Sequence, residues 1–162
     1  MEIEIVAGTV DDVEAIGPLW RSMVAHHEEV IGARMPVRDA AAAWEMRHVQ
    51  YRRWLAEDSG FLRFARRPDE PAPIGYGFFR LVPSGPTFDL GDVRGEVESL
   101  AVAPAARGTG AGTALLEAGR EELLRRGCTF WTVNVVEINT GAVALYERVG
   151  FRSWTRDLVG RL

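Results

Sequence analysis

The sequence predicts an α/β fold, a single domain with a mixed β-sheet flanked by helices. Three observations predict it. Apolar residues alternate with polar ones in short runs bounded by glycine and proline, as half-buried strands require. Between about Gly95 and Val136 a helical segment separates two such runs, the pattern of a βαβ unit with parallel strands. A chain of 162 residues, 47% hydrophobic and 26% charged, suits one globular core. The predicted domain therefore spans residues 1–162.

The elements follow in order. Glu2 to Ala7 has period two, and Thr9 with Asp12 three residues later signals a capped helix start. Val13, Ile16, Trp20, Met23 and Val24 keep helical spacing, although Gly17-Pro18 should kink or split that helix. A second helix runs from near Asp39 to about Leu55, with Trp44, Val49, Tyr51 and Leu55 as buried candidates. "GFLRFARR" and "PIGYGFFRLV" read as strands around the exposed turn "PDEPAP", and "RGEVESLAVAP" as a third strand stopped by Pro104. From Gly112 to Arg126 a helix shows apolar residues at Leu115, Leu116, Leu123 and Leu124, with Gly127 closing it. "CTFWTVNVV" reads as a strand buried on both faces. Asn139 caps a last helix, which ends at Gly150 before a final strand from Phe151. The order is β-α-α-β-β-β-α-β-α-β.

Charge and cysteine content exclude several classes. A net charge of -4, with no basic stripe, argues against nucleic acid as a partner. All basic residues are arginine, so the chain has no lysine to modify. The single cysteine, Cys128, rules out an intrachain disulfide and a cysteine-based metal cluster, and reads as packing. No apolar stretch approaches the roughly 18 residues of a membrane span, and the N-terminus lacks the pattern of a secretory leader. A cytoplasmic protein with no membrane contact is expected.

"PAARGTGAG", Pro104 to Gly112, places glycines between a strand and a helix directly behind Arg107. Backbone N–H groups of Thr109 to Thr113 there lack intrahelical partners and face the positive end of the helix dipole. Glycines let an anion approach those groups, and Arg107 adds a charge-assisted contact, so a pyrophosphate suits the loop. A P-loop ends in Gly-Lys-Ser/Thr, which a chain without lysine cannot supply. A dinucleotide fingerprint needs a glycine where Thr113 stands. The competing reading is a tight turn whose glycines let the helix pack closely on the strand.

"RGTGAG" after "VESLAVAP" resembles the acetyl-CoA loop, Q/R-x-x-G-x-G/A, of the GNAT N-acetyltransferase superfamily, through Arg107, Gly110 and Gly112. "NTGAVALYERVGF", Asn139 to Phe151, is similar to that family's N-x-x-A-x-x-L-Y-x-x-x-G-F segment. The resemblance covers roughly residues 96 to 152. It implies a GNAT fold and transfer of an acetyl group from acetyl-CoA to a primary amine, directly in a ternary complex and without a metal. The alternative is a non-catalytic acyl-CoA-binding sensor.

Residue by residue, the resemblance implies that Arg107, Gly108, Thr109, Gly110, Ala111, Gly112 and Thr113 bind the pyrophosphate. Leu100, Ala101 and Val102 offer backbone to the pantetheine arm and acetyl carbonyl. Asn139 caps its helix and contacts the pantetheine region. Tyr146 matches the family's general acid, and Glu98 lies where relatives place an acidic residue that acts on the amine. Period two puts Glu96, Glu98, Leu100 and Val102 on one face, but a bulge, frequent in this strand of the family, would break that parity. Glu96 reads as solvated or arginine-paired; Asn134 stands where many relatives have Glu, and Glu137 is a backup base. His26, His27 and Glu28 border the expected acceptor site, and at helical spacing they make a poor metal set. His48 and the tryptophans at 44 and 54 read as core or pocket wall. The acceptor is a small molecule or a peptide amine, and the frequency of homodimers in the family allows a second copy of this chain as partner.

Overall fold

The computed structural model describes residues 2–162; Met1, the first residue of the predicted domain, lies outside the described residues. Strand β1 (Glu4–Gly8) leads to Thr9, whose N–H donates to the Asp12 carboxylate at 2.8 Å while its hydroxyl accepts from Asp11. A 3-10 helix (Val10–Ile16) follows, and helix α1 (Gly17–Ile31) starts afresh with Pro18 in its first turn. Proline is tolerated there because its missing N–H would have had no partner. Helix α2 (Ala40–Ala56) is capped by Asp39, which accepts the Ala42 N–H at 3.0 Å. It buries Trp44, Tyr51 and Trp54, whereas Val49, expected in the core, is 58% exposed. Five residues beyond Trp44 is about 140° around the helix, so Val49 points away from the tryptophan face.

Strands β2 (Gly60–Arg66), β3 (Gly75–Pro83) and β4 (Val93–Val102) form the predicted meander, and β1 pairs antiparallel with β2. Helix α3 (Ala111–Arg125) carries the chain to β5 (Trp131–Val133), which lies parallel to β4 with Gly95 opposite Trp131. The sheet order is β1-β2-β3-β4-β5. Helix α4 (Thr140–Arg148) completes the regular structure, its cap Asn139 accepting from the Ala142 N–H at 3.2 Å.

Three further expectations fail. Leu124 is 53% exposed, lying beyond the stripe of Leu115, Leu116 and Leu123 that faces the sheet. The fifth strand has only three residues, all half-buried, because it sits at the sheet edge with no outer neighbour among the described residues. The final strand from Phe151 does not form. A strand needs a ladder partner, and β5 is short; Phe151 instead packs its ring on Trp131 and Tyr146.

The helices cover both faces of the sheet. One face packs Trp20, Trp44, Tyr51 and Trp54 from α1 and α2 against Leu62, Phe64, Tyr76 and Phe78. The other packs Leu116 and Leu123 of α3 and Tyr146 of α4 against Phe61, Phe79 and Val97. Gly119 of α3 is required at this seam, because a Cβ there would overlap the Phe79 ring.

Candidate functional site at the junction of β4 and α3

Strand β4 carries a bulge. Phe78 lies opposite Ser99 and Phe79 opposite Val97, so Glu98 has no partner on β3. The extra residue resets the parity of the strand. Val97 packs on the α3 side, as do Leu100 and Val102 beyond the bulge. Glu96, Glu98, Ser99 and Ala101 face α2. The expected single face of Glu96, Glu98, Leu100 and Val102 is thus divided, both carboxylates on one side and both apolar residues on the other. At the same point β5 leaves the sheet: the β4–β5 ladder ends at Val97 opposite Val133, while β4 runs on to Val102 paired with β3 alone. One backbone edge of Leu100, Ala101 and Val102 is therefore without a strand partner.

Glu98 pairs with Arg47 of α2, 51 residues earlier. Burial pushes its carboxyl above the ordinary value, the Arg47 guanidinium pulls against that, and neighbouring Glu96 adds to the rise. Glu96 is held by Arg80 and Arg94, each at 3.5 Å. Beneath them Ser99 is buried, its Oγ within 2.5 Å of the Tyr51 hydroxyl and accepting from the Tyr76 hydroxyl at 3.1 Å. Burial drives the Tyr51 phenol up to about 12 and Tyr76 well above its usual value, so both are neutral hydrogen-bonding groups.

The glycine loop follows β4 directly. After the 3-10 turn Pro104–Ala106, the Thr109 hydroxyl donates to the Ala106 carbonyl at 2.7 Å, and Gly108 and Gly110 adopt φ of +76° and +89°. A Cβ at either glycine would meet nothing within 4 Å, so backbone conformation demands these two glycines and close packing does not. Gly112 differs: a Cβ there would lie 3.3 Å from the Leu145 side chain of α4. Gly110 caps α3 with no side-chain hydrogen bond, which leaves the first N–H groups, from Ala111 through Thr113, without side-chain partners. Arg107 and Thr109 are exposed beside them.

Tyr146 lies on the α3 side of the sheet, packed with Phe61, Phe79 and Leu116 and edge-on to Phe151 with ring centroids 5.6 Å apart. Burial lifts its phenol to about 12. Tyr146 and Glu98 thus approach β4 from opposite sides, and no hydrogen bond joins them. Asn139 spends its carbonyl oxygen on the Ala142 cap, and its amide N–H groups have no partner among the described residues.

His26, His27 and Glu28 occupy the end of α1, where His26 Nδ1 is 3.6 Å from Glu29 and burial lowers the His27 pKa. His48 holds the Trp44 carbonyl at 3.1 Å and packs on that indole. Cys128 is buried. Asn134 and Glu137 reach the C-terminal segment, at Asp157 and Arg156. Among the described residues no three His, Cys, Asp or Glu side chains converge as a metal set, and no helix is long and apolar enough to cross a membrane. Sequence reasoning missed Arg47, Arg80 and the Ser99 hydroxyl cluster; the one available signal was the alternation Arg94, Glu96, Glu98 on a strand preceding the loop.

Comparison with known proteins bears on the family and the fold. The family model described as Acetyltransferase (GNAT) family matches residues 27–151. A mycothiol acetyltransferase of Stackebrandtia nassauensis is 32% identical over 158 residues, 91% of this chain and 49% of that protein. That of Thermobispora bispora is 48% identical over 67 residues, 41% of this chain and 23% of the relative. The chain therefore spans less than half the length of these curated relatives. A GCN5-related N-acetyltransferase from Ralstonia eutropha superposes with a TM-score of 0.78 at 23% identity, covering 99% of both chains. AAC(6')-Iy in complex with the bisubstrate analogue CoA-S-monomethyl-acetylneamine gives 0.72 at 15% identity, over 100% of this chain and 99% of that one. These two likenesses concern the fold, and with the family model they mean that this chain belongs to the GNAT acetyltransferase family.

Proposed function

We propose that the protein transfers an acetyl group from acetyl-CoA to a primary amine, directly, with both substrates bound. The observation that carries this reading is the loop from Arg107 to Thr113, whose two left-handed glycines stand in open space at a helix start with no side-chain cap hydrogen bond. A packing turn would have explained glycines with close neighbours; these have none, and bare N–H groups beside an arginine suit a pyrophosphate. Acetyl-CoA, when bound, supplies the activated thioester. Arg107 and the N–H groups of Gly108 through Thr113 hold its phosphates. The open backbone edge of Leu100, Ala101 and Val102 and the amide of Asn139 hold the pantetheine arm. The curated relatives, acetyltransferases by name, support acetyl transfer.

Glu98 accepts the proton of the acceptor ammonium, a task that a carboxylate raised by burial performs better than an ordinary one. Tyr146 keeps its proton through neutral pH and donates to the departing sulfur. A thiol titrates near about 8.5, so a phenol at about 12 gives most of its help as a hydrogen bond before the proton crosses. His26, His27 and Glu28 border the acceptor side.

One observation favours a second reading. Glu98 is paired with Arg47, and a protein that binds acyl-CoA without turning it over has no need of a free base. Calorimetric titration with acetyl-CoA, beside dephospho-CoA and ATP, tests the donor site. Micromolar binding that needs the pantetheine arm, abolished in Gly110→Asp, supports both readings, and thiol release on an amine selects the enzyme. Absence of binding sinks both.

A further inference from the structure

Helix α2 and strands β3 and β4 bring three guanidiniums and two carboxylates to one side of the bulge. Arg47 meets Glu98, while Arg80 and Arg94 share Glu96 at 3.5 Å each. Arg94 also donates to Thr132 at 2.9 Å. The five side chains are between 15% and 30% exposed, reachable from solvent yet mostly withdrawn from it. Arg80 lies 4.0 Å above the Trp54 ring, and its buried Nε has no hydrogen-bond partner. Arg47 stands 5.7 Å from the Tyr51 and Trp54 rings, an aromatic shelf that fixes its guanidinium. The cluster therefore has one cation more than it has anions, and Arg47 depends on Glu98 alone.

An acceptor that offers its ammonium to Glu98 must share that carboxylate with Arg47 or take it. The guanidinium then loses counter-charge in a largely desolvated place, where an unpaired ion is costly. A plain alkylamine adds its own positive charge to a site already in surplus. An anion carried next to the amine corrects both deficits, since a carboxylate presents two oxygens to the planar fork of Arg47 as Glu98 turns to the ammonium. We infer that the acceptor is an amino-carboxylate, an amine bearing an adjacent carboxylate group, and that Arg47 is the residue that selects it. The inference rests on the reading of Glu98 as the base.

The test is thiol release from acetyl-CoA with matched acceptors that differ only by the carboxylate: alanine against ethylamine, phenylalanine against phenethylamine, lysine against cadaverine. The carboxylate member is expected to show a kcat/KM at least tenfold higher. In Arg47→Met that ratio falls to within twofold through loss on the carboxylate member, and Arg47→Lys lies between. If Arg47→Met does not fold, Arg47→Lys and Arg47→Gln carry the comparison. Amines reacting as well as or better than their carboxylate partners, no turnover of any carboxylate member, or an unchanged ratio in the Arg47 variants overturns the inference. Glu98→Gln separates the two readings: full turnover with the preference intact removes the base and keeps the acceptor class. Lost turnover with no carboxylate preference in the wild type does the reverse.

Discussion

Glu98 and Ser99 are consecutive residues of strand β4, and both face helix α2. In a regular strand neighbours point to opposite sides; here a bulge in β4, opposite the step from Phe78 to Phe79 of β3, absorbs the extra residue. The consequence is a carboxylate carried without a ladder partner at the point where β5 departs and paired with Arg47 of α2, while the Ser99 hydroxyl meets those of Tyr51 and Tyr76.

If Glu98 is the base, Glu98→Gln lowers kcat by roughly a hundredfold or more, within the usual acid–base contribution, and leaves acetyl-CoA affinity within a few fold. The wild-type pH profile carries the same information. The base works deprotonated, so kcat/KM falls as pH drops through its pKa in the free enzyme, which burial has raised above the ordinary 4.5. The acid limb is therefore expected above the usual carboxylate range, and it disappears in the variant. An unchanged limb in Glu98→Gln would assign it to another group.

Tyr146→Phe removes one hydroxyl from a well-packed ring, so the fold and acetyl-CoA affinity are expected to survive. Turnover should drop by roughly tenfold to a thousandfold, toward the lower figure because a phenol at about 12 donates weakly. The measurement is thiol release at saturating acceptor. Turnover equal to wild type would remove Tyr146 from the chemistry and return it to the core cluster with Phe79 and Leu116.

The features legible in the sequence are those set by residues within a few positions of one another. The Thr9–Asp12 capping box, the helix start near Asp39, the Asn139 cap and the glycine turn ahead of α3 each depend on local chemistry, and each forms. The facing of Glu98 was not legible, because it is decided by how Phe78 and Phe79 register against β4. Arg47 escaped for a similar reason, its partner being 51 residues away on another element. Val49 and Leu124 failed because an apolar residue is no proof of a buried one. The last strand failed because strand formation from Phe151 depends on the length of β5, which local pattern overstated.

Gly119 tests whether the α3 face is as tightly set as the geometry says. Alanine improves helix propensity by about 1 kcal/mol in an open site. Here the new methyl group meets the fully buried Phe79 ring, and overpacking typically costs about 1–3 kcal/mol. Gly119→Ala should therefore lower the denaturant midpoint in spite of its propensity gain. Phe79→Leu, which removes the ring that blocks the methyl, should reduce the cost of Gly119→Ala in a double-mutant cycle. Additive effects would show that the ring and the helix do not compete for the same space.

Glu122 of α3 supplies a stability prediction with a definite pH window. Its carboxylate, 10% exposed, meets Arg125 at 2.5 Å, Arg126 at 2.6 Å and Arg63 at 3.3 Å. The Arg125 hydrogen bond, opposed by burial and joined by Arg126, holds its pKa down from 4.5 to about 2. A carboxylate with a depressed folded pKa stabilises the protein above its unfolded pKa, and that contribution is lost as pH falls through the folded value. At about 1.4 kcal/mol per unit, discounted because Arg125 is largely exposed, the contribution is roughly 1–3 kcal/mol. Glu122→Gln should show its full deficit in unfolding free energy at pH 7. The deficit should shrink between about pH 4.5 and 2, where the wild-type carboxylate gains its proton and comes to resemble the amide. A deficit that stays constant across that range would mean that Glu122 holds α3 to β2 by shape and hydrogen bonding, with no contribution from its charge.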